Sequence, residues 1–179
     1  MLRTGARWAL ELAEATLVAF VIALVLRTYV VGSFVIVGDS MNPTLSDGER
    51  VLVSRMAYRD GGPERGDVIV FRYPLDPGQD FVKRVVGLPG ETVEMREGRV
   101  FVNGVCLEET YPVKADRSAF PPTRVPDGEL FVLGDNRRVS EDSRSFGFVP
   151  LDCVRGKVLL VYWPPHRVEW VDAAAAGCG

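Results

Sequence analysis

Beyond Arg27 the chain keeps no single character for long: short runs rich in Val, Phe and Tyr alternate with Gly, Pro and Asp, and this punctuation limits what it can fold into. Candidate strands occupy residues 33–37, 49–54, 67–73, 80–87, 92–96, 99–102, 129–133 and 157–163. Runs of roughly four to eight residues suit a sheet and are short for packed helices. Glu97-Gly98 and Asn103-Gly104 read as tight hairpin turns, while residues 110–127, with four prolines, read as a loop or small insertion. The expected fold class is mainly β, as curled antiparallel sheets or a partial barrel, with one N-terminal transmembrane helix.

That helix is read from residues 8–26, 19 positions interrupted only by Glu11, Glu14 and Thr16. At helical rise they span roughly 28 Å, about the thickness of a bilayer core. The charge-free part, 15–26, covers only about 18 Å, so the two glutamates belong in or near the headgroup zone, with Glu11 able to pair with Arg7 one turn earlier. A buried helix of a soluble domain and a cleavable signal peptide are the competing readings. The second is weakened because apolar character resumes at 29–37 and no Ala-x-Ala exit follows. Arg3 and Arg7 precede the span, which places the N-terminus in the cytoplasm and the long domain outside. The expected organisation is a short cytoplasmic N-terminus with its anchor at 1–28, a β-rich extracytoplasmic domain at 29–172, and a disordered small-residue tail at 173–179. The expected location is the plasma membrane, crossed once.

With 179 residues, 47% hydrophobic and 25% charged, the chain can bury one ordinary core without staples. A net charge of -3 offers no general attraction to phosphate backbones, so nucleic acid is not an expected partner. Cys106, Cys153 and Cys178 lack CxxC spacing and have one histidine, His166, to share; no metal and no cofactor is expected. Cys106 and Cys153 read as two small buried cysteines, with a disulfide as the alternative outside the cytoplasm.

Ser40 lies in the turn Gly38-Asp39-Ser40-Met41-Asn42-Pro43 after an apolar run, and Gly38 permits a sharp bend that presents the serine at a strand end. Taken alone, it is as well explained as a solvated turn residue. Lys83 shares one strand face with Phe81 and Val85, and Arg84 the other with Val82 and Val86, so one of the two cations should sit among apolar groups. The plainer account is an edge strand whose lysine snorkels to water. A desolvated lysine amine could take a serine proton, which arginine could not do. Gly134-Asp135-Asn136-Arg137, with Ser140, Asp142, Ser143 and Arg144, is either a bracing turn or a plain surface loop.

Four blocks in order resemble the type I signal peptidases, membrane-anchored Ser-Lys endopeptidases. They are Ser40-Met41-Asn42-Pro43-Thr44-Leu45; Arg65-Gly66-Asp67-Val68-Ile69-Val70-Phe71; Lys83-Arg84-Val85-Val86-Gly87-Leu88-Pro89-Gly90-Glu91; and Gly134-Asp135-Asn136-Arg137 with Asp142-Ser143-Arg144 and Gly147. The resemblance implies Ser40 as nucleophile, Lys83 as general base, Ser140 as the hydroxyl orienting the amine, and Asp142 with Arg144 as a supporting ion pair. It also implies shallow apolar pockets for small side chains, lined by Phe34, Ile36, Val37, Gly38, Met41, Leu45, Val51, Val70, Phe81 and Val82. Partners so implied are the signal peptides of exported preproteins, cut after an A-x-A pattern, and the lipid bilayer. Gly38 stands where some members carry a hydroxyl that helps hold the oxyanion, which leaves backbone N–H groups, including that of Ser40, as donors. Arg138 stands where an acid is common. Rival readings are a self-cleaving Ser-Lys repressor, which needs a DNA-binding element where this chain has an apolar run, and a membrane-anchored β module that only binds.

Overall fold

The computed structural model describes residues 2–25 and 31–171. One helix, α1 (Leu2–Val25), precedes twelve strands: β1 (Val31–Val35), β2 (Arg50–Ser54), β3 (Val68–Arg72), β4 (Asp80–Gly87), β5 (Thr92–Arg96), β6 (Arg99–Val102), β7 (Val105–Cys106), β8 (Phe120–Arg124), β9 (Glu129–Leu133), β10 (Val149–Pro150), β11 (Val154–Trp163) and β12 (Glu169–Trp170). A single-turn helix, α2 (Ser143–Phe146), lies between β9 and β10. The larger sheet runs β1-β2-β11-β3-β4-β9-β10, with β12 added to β11; the smaller runs β7-β6-β5-β8. Every strand pair in both sheets is antiparallel, so the fold is mainly β.

Local chemistry accounts for much of this. Arg96 faces Arg99 and Val102 faces Val105, so Glu97-Gly98 and Asn103-Gly104 are two-residue loops, with both residues of each at positive φ as a type I′ turn demands. The first strand ends two residues earlier than its apolar run suggests, because Ile36 turns inward to the core while Val37 is 87% exposed. Residues 110–127 are not wholly a loop: β8 forms there, at the edge of the smaller sheet, with Pro121 and Pro122 in the register shift between Phe120 and Thr123, where the ladder is interrupted. β7, β10 and β12, two residues each, are too short to leave a periodic trace.

Three apolar clusters hold the strands together. One gathers Ile36, Met41, Leu45, Val51 and Val70 under the end of β1; a second, with Val93, Met95, Phe131 and Leu133, joins the two sheets; a third, with Ile69, Phe71, Val85 and Val132, backs the middle of β4. Each such side chain contributes about 1.5–3 kcal/mol on burial.

Two expectations need correction. Cys106 is exposed, because β7 is the outer strand of the smaller sheet; Cys153 is half-buried, and neither is bonded. The lysine does not snorkel to water: Lys83 and Arg84 are both buried, 4% and 1% exposed, the first beside Ile69 and Phe81 as expected of one of the two cations, the second against Asp135. Among the described residues no helix is long and apolar enough to cross a membrane. The last residues of the expected anchor, 26–28, and the tail with Cys178 lie outside the described residues.

Candidate active site

Ser40 stands half-buried on the turn that follows β1. Gly38 makes this turn with φ at +87°, and its N–H donates to Asp47 Oδ1 at 2.7 Å. The chain then coils back, with the Asn42 N–H donating to the Asp39 carbonyl and the Leu45 N–H to the Met41 carbonyl. Met41 and Leu45 thereby drop into the core and hold the serine up like a peg.

Lys83 reaches Ser40 from the middle of the larger sheet. Its neighbour across the ladder is Ile69, and Phe81 lies two residues away on the same face, with the ring centre 5.1 Å from Nζ. Nζ donates to Ser40 Oγ at 2.8 Å and to the Val82 carbonyl at 2.9 Å. Burial pulls this amine from its usual 10.5 down to about 8, against the opposing pull of the Asp142, Glu141 and Asp135 carboxylates. His166 is exposed on a one-turn 3-10 helix after β11 and has no part in this contact.

The segment after β9 supports both groups. The Asn136 N–H donates to the Ser40 carbonyl at 3.0 Å and its side-chain amide to the Asp39 carbonyl at 3.1 Å. Gly134 lies so close that a Cβ there would stand 2.5 Å from the Ser40 carbonyl oxygen and 2.2 Å from Ser140 Oγ. The Ser140 hydroxyl is buried beside it with no hydrogen-bond partner. Asp142 caps α2, accepts from the Gly134 N–H at 3.1 Å, and pairs with Arg144 at 2.8 Å. Arg144 also pairs with Asp116 at 2.9 Å, so the 110–127 stretch supplies an acid to this brace, while Arg138 is exposed and donates to the Ala115 carbonyl.

Sequence reasoning missed the ion pair beneath the site. Arg84 grips Asp135 with two bonds, 2.9 Å from Nε and 2.7 Å from one terminal nitrogen, and lies over the Tyr111 ring at 4.0 Å. Thr44, four residues past the serine, donates to the same carboxylate at 2.5 Å. Arginine and aspartate sit 51 positions apart, so neither strand alternation nor turn chemistry points from one to the other.

Of the residues expected to line substrate pockets, Phe34, Val37, Phe81 and Val82 reach solvent, whereas Leu45, Val51 and Val70 have no exposure and form the floor below Ile36 and Met41. On the side away from β3, the pairing of β4 with β9 begins at Arg84, so Asp80 to Lys83 offer β9 no partner. Among the described residues no group of three His, Cys, Asp or Glu side chains could hold a metal ion.

The model of the family described as "Signal peptidase, peptidase S26" matches residues 9–163. A probable signal peptidase I-1 of Synechocystis is 42% identical over 158 residues, covering 84% of this chain and 81% of its own. A signal peptidase IB of Staphylococcus aureus is 41% identical over 165 residues, covering 82% and 85%. A solved signal peptidase I from Enterococcus faecalis is 40% identical and covers 53% of this chain and 95% of that one, with a TM-score of 0.45.

Proposed function

The chain belongs to the signal peptidases of the peptidase S26 family, and we propose that within it Ser40 is the nucleophile and Lys83 the general base. It is a serine endopeptidase that removes signal peptides from preproteins. The observation that carries the residue assignment is the 2.8 Å contact between a hydroxyl and an amine that is only 4% exposed.

The neutral amine takes the Ser40 proton as Oγ bonds to the scissile carbonyl carbon. The resulting ammonium gives that proton to the departing amine as the C–N bond breaks, leaving an ester on Ser40. Water then attacks the ester with Lys83 again as base, restoring the serine hydroxyl. No group among the described residues takes the Ser40 N–H, which leaves it for the oxygen that becomes negative. Gly38 cannot share that task while its N–H is held by Asp47. The Ser140 hydroxyl, buried with no partner in the resting site, is free to turn to the amine once Ser40 gives up its proton, and the Asp142–Arg144 pair holds the loop that carries it.

Substrate enters as an extended strand against the uncovered edge of β4 at 80–82, beside the exposed backbone after β1. Small side chains fit above the floor of Met41, Leu45, Val51 and Val70, and bulky ones overlap it, which suits the A-x-A ending of signal peptides. The 1–28 segment serves as a single membrane anchor with the catalytic domain outside. Its support is the apolar run at 8–26 behind Arg3 and Arg7. Membrane attachment concentrates enzyme beside tethered substrate.

Incubation with a preprotein ending its leader in Ala-x-Ala tests the assignment. Wild type releases the mature chain; Ser40→Ala releases none above background, and Ser140→Ala slows release about tenfold. Processing by Ser40→Ala at the wild-type rate removes the nucleophile assignment. For the anchor, the full chain should resist alkaline carbonate extraction from vesicles and a chain starting at residue 29 should not. Equal extraction of both contradicts it.

A further inference from the structure

The wall of the cleft beside Lys83 contains a cross-link that the reaction as described does not use. Phe71 and Phe81 face each other across the β3–β4 ladder, and Tyr73, two residues beyond Phe71, lies on the same face. The Tyr73 ring stacks on Phe81 at 4.3 Å with the planes 7° apart, and Phe146 of α2 meets Tyr73 edge-on at 5.4 Å. Beyond the rings, the Tyr73 hydroxyl donates to Glu141 Oε1 at 2.6 Å, joining the end of β3 to the loop between Ser140 and Asp142, 68 positions away. Phe81 is the ring that lies against the Lys83 amine.

We propose that Tyr73 and Glu141 form a strap across the cleft wall that holds Phe81 against Lys83 and fixes a carboxylate at the rim of the site, making both positioning residues for the amine. The proposal rests on the reading of Lys83 as the base. Three observations converge on it. The Phe81 ring that lies 5.1 Å from the amine is covered on one face by the Tyr73 ring. The hydroxyl fixes a carboxylate that would otherwise swing freely from an exposed loop position. Glu141 is also among the groups that favour the charged amine, opposing the effect of burial. The other charges around Lys83 are already committed: Asp142 to Arg144 and Asp135 to Arg84. β3 contributes uncharged Ile69 and Phe71, and Asp39 on the serine turn is exposed. Of Asp142, Glu141 and Asp135, the three carboxylates that act on the amine, Glu141 is thus the one with no cation among its bonds to the described residues.

The test is kcat/KM against pH, from about 6 to 10, for the full chain acting on a fluorogenic peptide with an Ala-x-Ala site. Glu141→Gln keeps a hydrogen-bond acceptor but removes the charge, and should move the rising limb about half a pH unit lower. Tyr73→Phe keeps the ring but frees the carboxylate, and should shift the limb the same way by less while lowering kcat several-fold. In the double variant the limb should lie where it does for Glu141→Gln alone, since Tyr73 moves it only through Glu141. Limbs that coincide with wild type in both single variants overturn the proposal, whether or not rates fall. Lys83→Met run alongside separates the two layers: if it is inactive while the limbs stay fixed, only the strap fails, and if it is active, the base assignment itself fails.

Discussion

Lys83→Met should lower kcat/KM for preprotein cleavage by at least about 10³-fold and at the same time make the folded protein more stable at neutral pH. The two effects have one cause. The amine titrates near 8 in the folded chain and at 10.5 when free, so the unfolded chain binds more protons between those values. Stability therefore rises with pH across that window, and below about 8 the folded state bears the full cost, on the order of 3 kcal/mol. Methionine has a similar length without the charge. Part of the gain is offset by the lost bonds to Ser40 and the Val82 carbonyl, leaving roughly 1–2 kcal/mol at pH 7. Lys83→Arg should be equally inactive without any gain, because the guanidinium stays charged. Denaturant unfolding and single-turnover cleavage on the same preparations check both halves. For wild type, cleavage should climb with pH through about 8 as the neutral amine accumulates. A Lys83→Arg enzyme that turns over normally would remove the base from the mechanism.

Asp135→Ala should be the most destabilising single change at the site, by about 3–5 kcal/mol. Its carboxylate is 1% exposed and receives both Arg84 and Thr44, so truncation leaves a buried guanidinium with no counter-charge. That is a large share of the roughly 5–15 kcal/mol that holds a domain of this size together. Activity should fall with it, because Asn136, the next residue, carries the two bonds that fix the serine turn. The double variant Arg84→Met, Asp135→Leu should recover most of the stability, since removing both charges removes the desolvation cost with the attraction. Urea midpoints measured on the single and double variants decide it. A single variant within about 1 kcal/mol of wild type would mean the pair is not braced as described.

Much of the fold can be read from residue order because strand alternation and turn chemistry are local. β4, β5, β6 and β9 occupy the expected positions, since each is bounded by Gly, Pro or Asp and each alternates or fills a buried row. β8 escaped because its prolines argue for a loop unless one knows that the strand lies at an edge, a fact about neighbours rather than about residues 120–124. The cysteines were misjudged for the same reason: a thiol is inside or outside according to which strand covers it.

What the sequence alone determined is the kind of domain and which chemical groups were candidates: a chain of short strands behind an apolar N-terminal run, and ordered blocks carrying Ser40, Lys83, Asp142 and Arg144. Tertiary structure decided the state of those groups. Whether a lysine is charged depends on how completely it is dried, and that follows from the serine turn and the Phe81 ring lying against the amine. Whether Arg84 is tolerated in the core depends on Asp135 arriving from 51 residues away. Alternation and turn signals act over a few residues, whereas desolvation and charge pairing act through space, so only the folded arrangement determines them.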